Sequence, residues 1–355
     1  MKHLLNIMDL SVAEIDALMA TAGDMMEHPA AYEDACRHKQ LATLFFEPST
    51  RTRLSFESAM LSLGGNVLGF SLAASSSASK GESVGDTVAV VSGYADIIAM
   101  RHPCEGAAYA ACRHAAVPVI NAGDGGHYHP TQTLADLLTI HRRKGHFDHL
   151  TIGLCGDLRY GRTVHSLIGA MSRYAGVRFV LISPDELRLP DFVRHTYLDE
   201  KHIPYRESTS LEESLGELDV LYMTRVQKER FSDAETYRRL KDVYILNGEK
   251  MRLAPKDMIV MHPLPRVGEI TPEVDDDPRA AYFEETRCGK YMRMALILKL
   301  LREKDTPSAV DGRDVFSDAA RRCANPLCVS VAESDLPHRF YRDSSGRVRC
   351  AYCDQ

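Results

Sequence analysis

Residues Ser49-Thr50-Arg51-Thr52-Arg53 put three hydroxyls and two guanidiniums into five positions. An apolar run, Leu41 to Phe46, precedes them and stops at Glu47-Pro48. A helical pattern follows, with Phe56, Ala59, Met60 and Leu63 at i, i+3, i+4 and i+7. Ser49 to Thr52 therefore fall where a strand hands over to a helix N-terminus. There, free N–H groups and the helix dipole favour an anion. Hydroxyls and Arg forks at that spot suit a phosphate oxyanion through paired, charge-assisted hydrogen bonds. Further polar segments follow apolar runs or open helices: Arg101-His102-Pro103, His129-Pro130-Thr131-Gln132, Gly156-Asp157-Leu158-Arg159-Tyr160-Gly161-Arg162-Thr163, Thr224-Arg225-Val226-Gln227-Lys228-Glu229-Arg230 and His262-Pro263-Leu264-Pro265-Arg266. Each alone reads as a cap, a turn or surface charge. Together, at strand ends where open α/β sheets bind ligands, they form a constellation.

The elements that must position them alternate. Runs at Leu41–Phe46, Asn66–Phe70, Ile97–Met100 and Val117–Ile120, separated by helical patterns, predict a parallel β-α-β-α sheet. A second series predicts another sheet: Thr151–Cys155, Arg178–Ile182, Val220–Met223, Tyr244–Leu246 and Met258–Met261. A helix from about Thr131 to His141 lies between the series, and an apolar helical pattern follows Gly289. The expected fold is α/β: two parallel-sheet domains joined by interdomain helices, with a small C-terminal four-cysteine module. The expected boundaries are 1–135 completed by a helix over 286–303, then 136–285, a linker over 304–320, and 321–355. On composition, the serine-rich segment 71–83 reads as a loose surface loop.

A length of 355 residues suits two medium domains and an appendage. A net charge of −6 argues against a nucleic-acid surface as the main business. No apolar run is long enough to span a membrane, and the N-terminal apolar stretch is too short for a signal peptide, so the expectation is a cytoplasmic protein. The motif Cys323-x4-Cys328-x21-Cys350-x2-Cys353 has the spacing of a four-thiolate zinc site. So small a module needs its metal to fold.

The Ser-Thr-Arg-Thr-Arg and His-Pro-Thr-Gln segments resemble the carbamoyltransferase family. The segments beginning at Gly156, Thr224 and His262 resemble the aspartate carbamoyltransferase catalytic chain, over residues 1 to about 303. The resemblance implies one domain for carbamoyl phosphate and one for L-aspartate. It implies that Ser49, Thr50, Arg51 and Thr52 hold the phosphate with Arg101. Thr52, Arg101 and His129 would polarise the carbonyl oxygen. Gln132 and the Pro263 carbonyl would hold the carbamoyl amide. Arg162, Arg225 and Gln227 would bind the two carboxylates of aspartate, and the Leu264 backbone would help place its amine. Ser76 and Lys80 match residues that reach into a neighbouring subunit's site, which recasts the serine-rich loop as a mobile arm and implies a homotrimer with shared sites. A higher assembly of trimers stays open. Catalysis needs no cofactor.

Ornithine carbamoyltransferase is the neighbouring alternative. That family carries His-Cys-Leu-Pro and a Ser-Met-Gly loop, whereas Pro263 occupies the cysteine position here and no Ser-Met-Gly occurs. The cysteine module, with Asn325-Pro326 and Tyr352, resembles the zinc domain of the aspartate carbamoyltransferase regulatory chain. Residues 304 to 322 leave no room for a nucleotide-binding domain, so no control by CTP or ATP through this chain alone is expected. The fused module is expected to be structural, aiding assembly. The reading from another class is a nucleic-acid zinc ribbon on an inactive enzyme, with Arg339, Arg342, Arg347 and Arg349 as its basic groups. Glu333, Asp335 and Asp343 interrupt that face.

Overall fold

The computed structural model describes residues 2–226, 235, 243–306, 314–318, 320–343 and 345–355. The chain divides into two compact units, Met1–Thr131 with Lys290–Gln355, and Gln132–Gly289. Two helices, Pro130–Lys144 (α5) and Tyr282–Arg302, each begin in one unit's stretch of sequence and end in the other's.

The first unit holds a parallel sheet of β1 (Gln40–Phe45), β2 (Asn66–Phe70), β3 (Ile97–His102) and β4 (Val119–Asp124), in the order β2-β1-β3-β4. The central strands β1 and β3 read as near-continuous apolar runs because parallel strands inside a sheet are covered on both faces, whereas the edge strand β2 has no fully buried residue. Leu41, Ala42, Leu44 and Phe45 of β1 are all buried. Helix α1 (Val12–Glu27) opens with a capping box, Ser11 and Glu14 satisfying each other's backbone N–H. Helix α2 (Thr50–Ser62) buries Phe56, Ala59 and Met60, with Leu63 at its C-cap, as the spacing predicts. Helices α3 (Val84–Val91) and α4 (Ala107–Cys112) complete the layer on the other connections.

The second unit holds β5 (Thr151–Cys155), β6 (Arg178–Ile182), β7 (Tyr205–Ser208), β8 (Val220–Met223) and β9 (Ile259–Met261), all parallel, in the order β7-β6-β5-β8-β9. Helix α6 (Arg162–Met171) buries the expected Val164, Leu167, Ile168 and Met171, but burial is not confined to that face: every residue from Thr163 to Met171 is buried. Two details differ. Tyr244–Leu246 forms only an isolated bridge, Leu246 to Ile270, because its partner is a loop. The edge strand β7, Tyr-Arg-Glu-Ser, is polar and has no fully buried residue, so it carries no apolar signal.

The C-terminal segment belongs to the first unit. Strands β10 (Phe316–Ser317), β11 (Arg339–Arg342) and β12 (Val348–Cys350) form an antiparallel sheet. Its buried residues Cys328, Val329, Phe340, Ala351 and Tyr352 share one apolar cluster with Leu44, Val84, Ala107, Ala110 and Val119. No helix among the described residues is long and apolar enough to cross a membrane.

Candidate active-site loops and metal centre

In each parallel sheet the strand order reverses once, between β1 and β3 in the first unit and between β5 and β8 in the second. Chain crossovers leave such a switch point in opposite directions, which opens a crevice at the C-terminal strand ends. The strand ends and loops flanking these two points carry Ser49 to Arg53 and Arg101 in the first unit and Arg162 and Arg225 in the second, whereas Ser76 and Lys80 follow β2, His129 and Gln132 follow β4, and Pro263 and Leu264 follow β9.

In the first unit, Ser49 is the N-cap of α2 but makes no side-chain cap hydrogen bond. Thr50 and Arg51 are exposed and Thr52 is half-buried in the first turn. Hydroxyls and early N–H groups at this helix start suit an anion. Arg101 lies near the end of β3, and its guanidinium meets Glu47 at 2.7 Å. Sequence reasoning missed Glu47, although it sits in the same motif as Ser49. His102 follows, and its Nδ1 accepts the Cys104 N–H at 3.0 Å. Burial pulls its pKa down to about 4, so the ring is neutral at physiological pH. His129 is buried immediately before α5, with Thr131 behind it. Arg293, also missed, donates to Ser55 Oγ at 3.1 Å and Thr131 Oγ1 at 3.3 Å, tying the starts of α2 and α5 together. Ser76 lies between two short 3-10 turns, Ala73–Ser75 and Ser77–Lys80, and Lys80 ends the second. Ser76 Oγ donates to the Ala73 carbonyl, and Lys80 is exposed. The serine-rich segment thus has local structure that composition alone did not suggest.

In the second unit, Arg162 opens α6 after the β5 loop, and Arg225 follows β8. Thr224 joins these loops: its Oγ1 accepts the Asp157 N–H at 2.9 Å and donates to the Cys155 carbonyl at 2.9 Å. Gly156 permits the approach, because at φ +112° a Cβ there would stand 2.4 Å from the Thr224 oxygen. Gln227 lies outside the described residues. The Gln132 amide nitrogen donates to Asp136 at 2.8 Å and Glu285 at 2.6 Å. Burial, with Asp136 beside it, pushes the Glu285 carboxyl well above its usual range. Its other oxygen accepts the His262 N–H at 3.1 Å. Pro263 and Leu264 are half-buried on the loop after β9. His262 holds that loop: Nδ1 accepts the Leu264 N–H at 2.7 Å, and Nε2 meets Glu269 at 2.8 Å. Burial opposes ionisation of Glu269, but His262 and the Val267 and Gly268 N–H groups outweigh it and bring its pKa to about 2.

Cys323, Cys328, Cys350 and Cys353 bring four sulfurs within 4.8 Å of one another, and none is in a disulfide. Cys323 and Cys353 are 3.5 Å apart, and Cys328 and Cys350 are 3.8 Å apart. A tetrahedral ion with metal–sulfur bonds of about 2.3 Å requires edges of about 3.8 Å, so the donor set fits a metal. Burial pushes the Cys323 thiol up, and packing against Cys350 does the same to Cys328. A bound cation reverses that tendency by stabilising thiolates.

The carbamoyl-P binding domain of the family described as aspartate/ornithine carbamoyltransferase matches residues 2–142, and its Asp/Orn binding domain matches residues 148–300. The chain belongs to the aspartate/ornithine carbamoyltransferase family. Residues 320–355 match the metal binding domain of the aspartate carbamoyltransferase regulatory chain. The aspartate carbamoyltransferase catalytic subunit of Lachnoclostridium phytofermentans is 60% identical over 301 residues, 85% of this chain and 98% of the relative. That of Clostridium novyi is 60% identical over 300 residues, 84% and 98% of the two chains. Among solved structures, the catalytic subunit of M. jannaschii aspartate transcarbamoylase superposes with a TM-score of 0.80 at 47% identity, covering 86% of this chain and 100% of that one. Aspartate transcarbamoylase from Trypanosoma cruzi, in complex with carbamoyl phosphate and aspartate, gives 0.80 at 40% identity over 84% of this chain and 96% of that one. Within the family the chain is therefore a catalytic chain of the aspartate type carrying a fused regulatory-type metal domain.

Proposed function

We propose that the chain transfers the carbamoyl group of carbamoyl phosphate to the amine of L-aspartate, giving N-carbamoyl-L-aspartate and phosphate, as a cytoplasmic step of de novo pyrimidine synthesis. The observation that carries the choice of acceptor is the pair Arg162 and Arg225 on the joined loops leaving β5 and β8. Two guanidiniums suit the two carboxylates of aspartate and would repel the cationic tail of ornithine.

Most of the residues assigned to the donor lie in the first unit. Ser49, Thr50, Arg51 and Thr52, with Arg101, hold the phosphate at the start of α2. Thr52, Arg101 and His129 donate to the carbonyl oxygen. Gln132 presents its amide oxygen and Pro263 its carbonyl to the carbamoyl NH2, the Gln132 nitrogen being engaged by Asp136 and Glu285. The neutral aspartate amine attacks the carbonyl carbon, helped into place by the Leu264 backbone. The carbon–oxygen bond to phosphate breaks, and the departing phosphate accepts the amine proton. Negative charge grows on the carbonyl and phosphate oxygens, where positioned donors stabilise it most. Holding both reactants removes translational freedom. Ser76 and Lys80 serve a neighbouring subunit's site in a homotrimer. Zn2+ fills the four-cysteine site and supplies folding energy to the module, not chemistry to the reaction.

Release of phosphate from carbamoyl phosphate is measured with aspartate and with ornithine as acceptor. Aspartate-dependent release with N-carbamoyl-aspartate as product is expected. Ornithine-dependent release, or none, overturns the assignment.

A further inference from the structure

Among the described residues, the fused metal domain hydrogen-bonds to its own chain at three segments, each beside one that handles the donor. The Val84 N–H at the start of α3, four residues after Lys80, donates to Glu333 at 2.8 Å. Four residues after Arg101, the Glu105 N–H donates to the Leu327 carbonyl at 2.8 Å, and its own carbonyl accepts the Val329 N–H at 2.9 Å. The buried Glu105 carboxylate takes Asn325 at 2.6 Å and Gln355 at 3.2 Å. Two residues before His129, Asp354 closes the third contact. Its Oδ2 lies 3.2 Å from His127 Nε2 and accepts the Tyr128 hydroxyl at 3.1 Å, while Oδ1 accepts the Tyr341 hydroxyl at 2.9 Å.

We infer that the fused domain is a positioning element for the donor-binding loops of its own chain, and that Asp354 is the positioning residue through which it holds His129. The inference rests on the function proposed above. On its other side, the His127 ring meets Asp124 at 3.0 Å, so one imidazole spans two carboxylates, one from each side of the seam. Burial opposes its charge, but the two carboxylates outweigh burial and raise its pKa to about 10. The ring is then an imidazolium that donates from both nitrogens and has no alternative tautomer. Asp124 also accepts the Tyr128 N–H at 3.1 Å, so each of the two residues before His129 is held by both carboxylates. Asp354 itself adopts φ +60°, a conformation a non-glycine residue keeps only where its surroundings enforce it. Cys353, a metal-site cysteine, is its neighbour, so filling the site fixes the backbone from which Asp354 reaches across.

The test uses the full chain loaded with Zn2+, and compares it with Asp354→Asn. Amide hydrogen exchange over residues 121–131 and steady-state constants for both substrates are read. Metal content is expected to stay at that of the unsubstituted protein. Exchange over 121–131 should accelerate about tenfold, as expected for loss of a charge-assisted hydrogen bond, with β5 and β6 unchanged. The KM for carbamoyl phosphate should rise by a similar factor while the KM for aspartate moves little. Unchanged exchange, or unchanged KM for carbamoyl phosphate, overturns the inference. If Asp354→Asn sheds the metal, the double substitution His127→Gln with Tyr128→Phe breaks the same contact from the far side and is judged by the same two readings. Absence of transfer by the unsubstituted protein sinks the proposed function, and exchange alone then decides whether Asp354 holds the turn.

Discussion

Replacing Gly106 by alanine attacks the seam between the metal domain and α4 at its tightest point. Gly106 sits at φ +80°, and a Cβ there would stand 2.4 Å from the Tyr352 carbonyl oxygen and 2.5 Å from its carbon. Ordinary carbon–oxygen approaches are about 3.3 Å or more, so the Tyr352 backbone must move by about 1 Å. The left-handed conformation costs an alanine about 1–2 kcal/mol, and forced overpacking about 1–3 kcal/mol. Tyr352 lies between Cys350 and Cys353, so relief by local movement distorts the metal site, whereas relief by undocking leaves it whole. A combined cost of about 2–5 kcal/mol, directed at docking, raises the undocked fraction by about 30-fold to several thousandfold. The assay is the rate at which a chromophoric chelator captures the metal. Gly346→Ala is the control: it has φ +79° with nothing within 4 Å of the added Cβ, so it carries the backbone penalty without the clash. Metal release no faster from Gly106→Ala than from Gly346→Ala would refute the reasoning.

Glu269 has a folded pKa of about 2 against an ordinary value of 4.5, so its stabilising effect is present above about pH 4.5 and fades as pH falls toward 2. Urea unfolding of the full chain should therefore lose about 3 kcal/mol over that window, and Glu269→Gln should flatten the loss; equal slopes for both proteins would contradict the assignment of that carboxylate. Arg162→Ala and Arg225→Ala should each lower kcat/KM for aspartate by about 10- to 150-fold, the worth of a hydrogen bond to a charged group. Carbamoyl phosphate binding, measured by calorimetry, should stay within about twofold; an equal loss there would remove these arginines from the acceptor's side.

Much of this architecture was legible because its signals are local. The strands β1, β5, β6 and β8 are dense apolar runs ended by polar turns, and buried parallel strands cannot be written otherwise. Val164, Leu167, Ile168 and Met171 declared α6 a helix by spacing, but not that burial extends all round it from Thr163 to Met171. The site loops were legible because strand ends are where the fold puts them. What stayed hidden depends on long-range partners. β7 owes its place to pairing with β6, not to its own Tyr-Arg-Glu-Ser. Tyr244–Leu246 has the composition of a strand but meets only Ile270. Glu47, Glu285 and Arg293 look like ordinary helix or turn charges until Arg101, Gln132 and Thr131 are beside them. Asp354 and His127 are 227 positions apart, and no sequence period connects them.

Helix α4, Ala-Ala-Tyr-Ala-Ala-Cys, is built of small side chains with five of its six residues buried, and Tyr109 meets Tyr352 edge-on at 5.4 Å. Such a helix has little bulk of its own to shield the sheet beneath it. The metal domain supplies that bulk, so the covalent boundary near residue 304 is not a thermodynamic one. A gene trimmed there would encode a protein with an uncovered apolar face, prone to self-association, and not a smaller version of the same enzyme. Scarcity of metal would reach the cell in the same form, as a solubility problem in newly made chains before it became a shortage of catalysis.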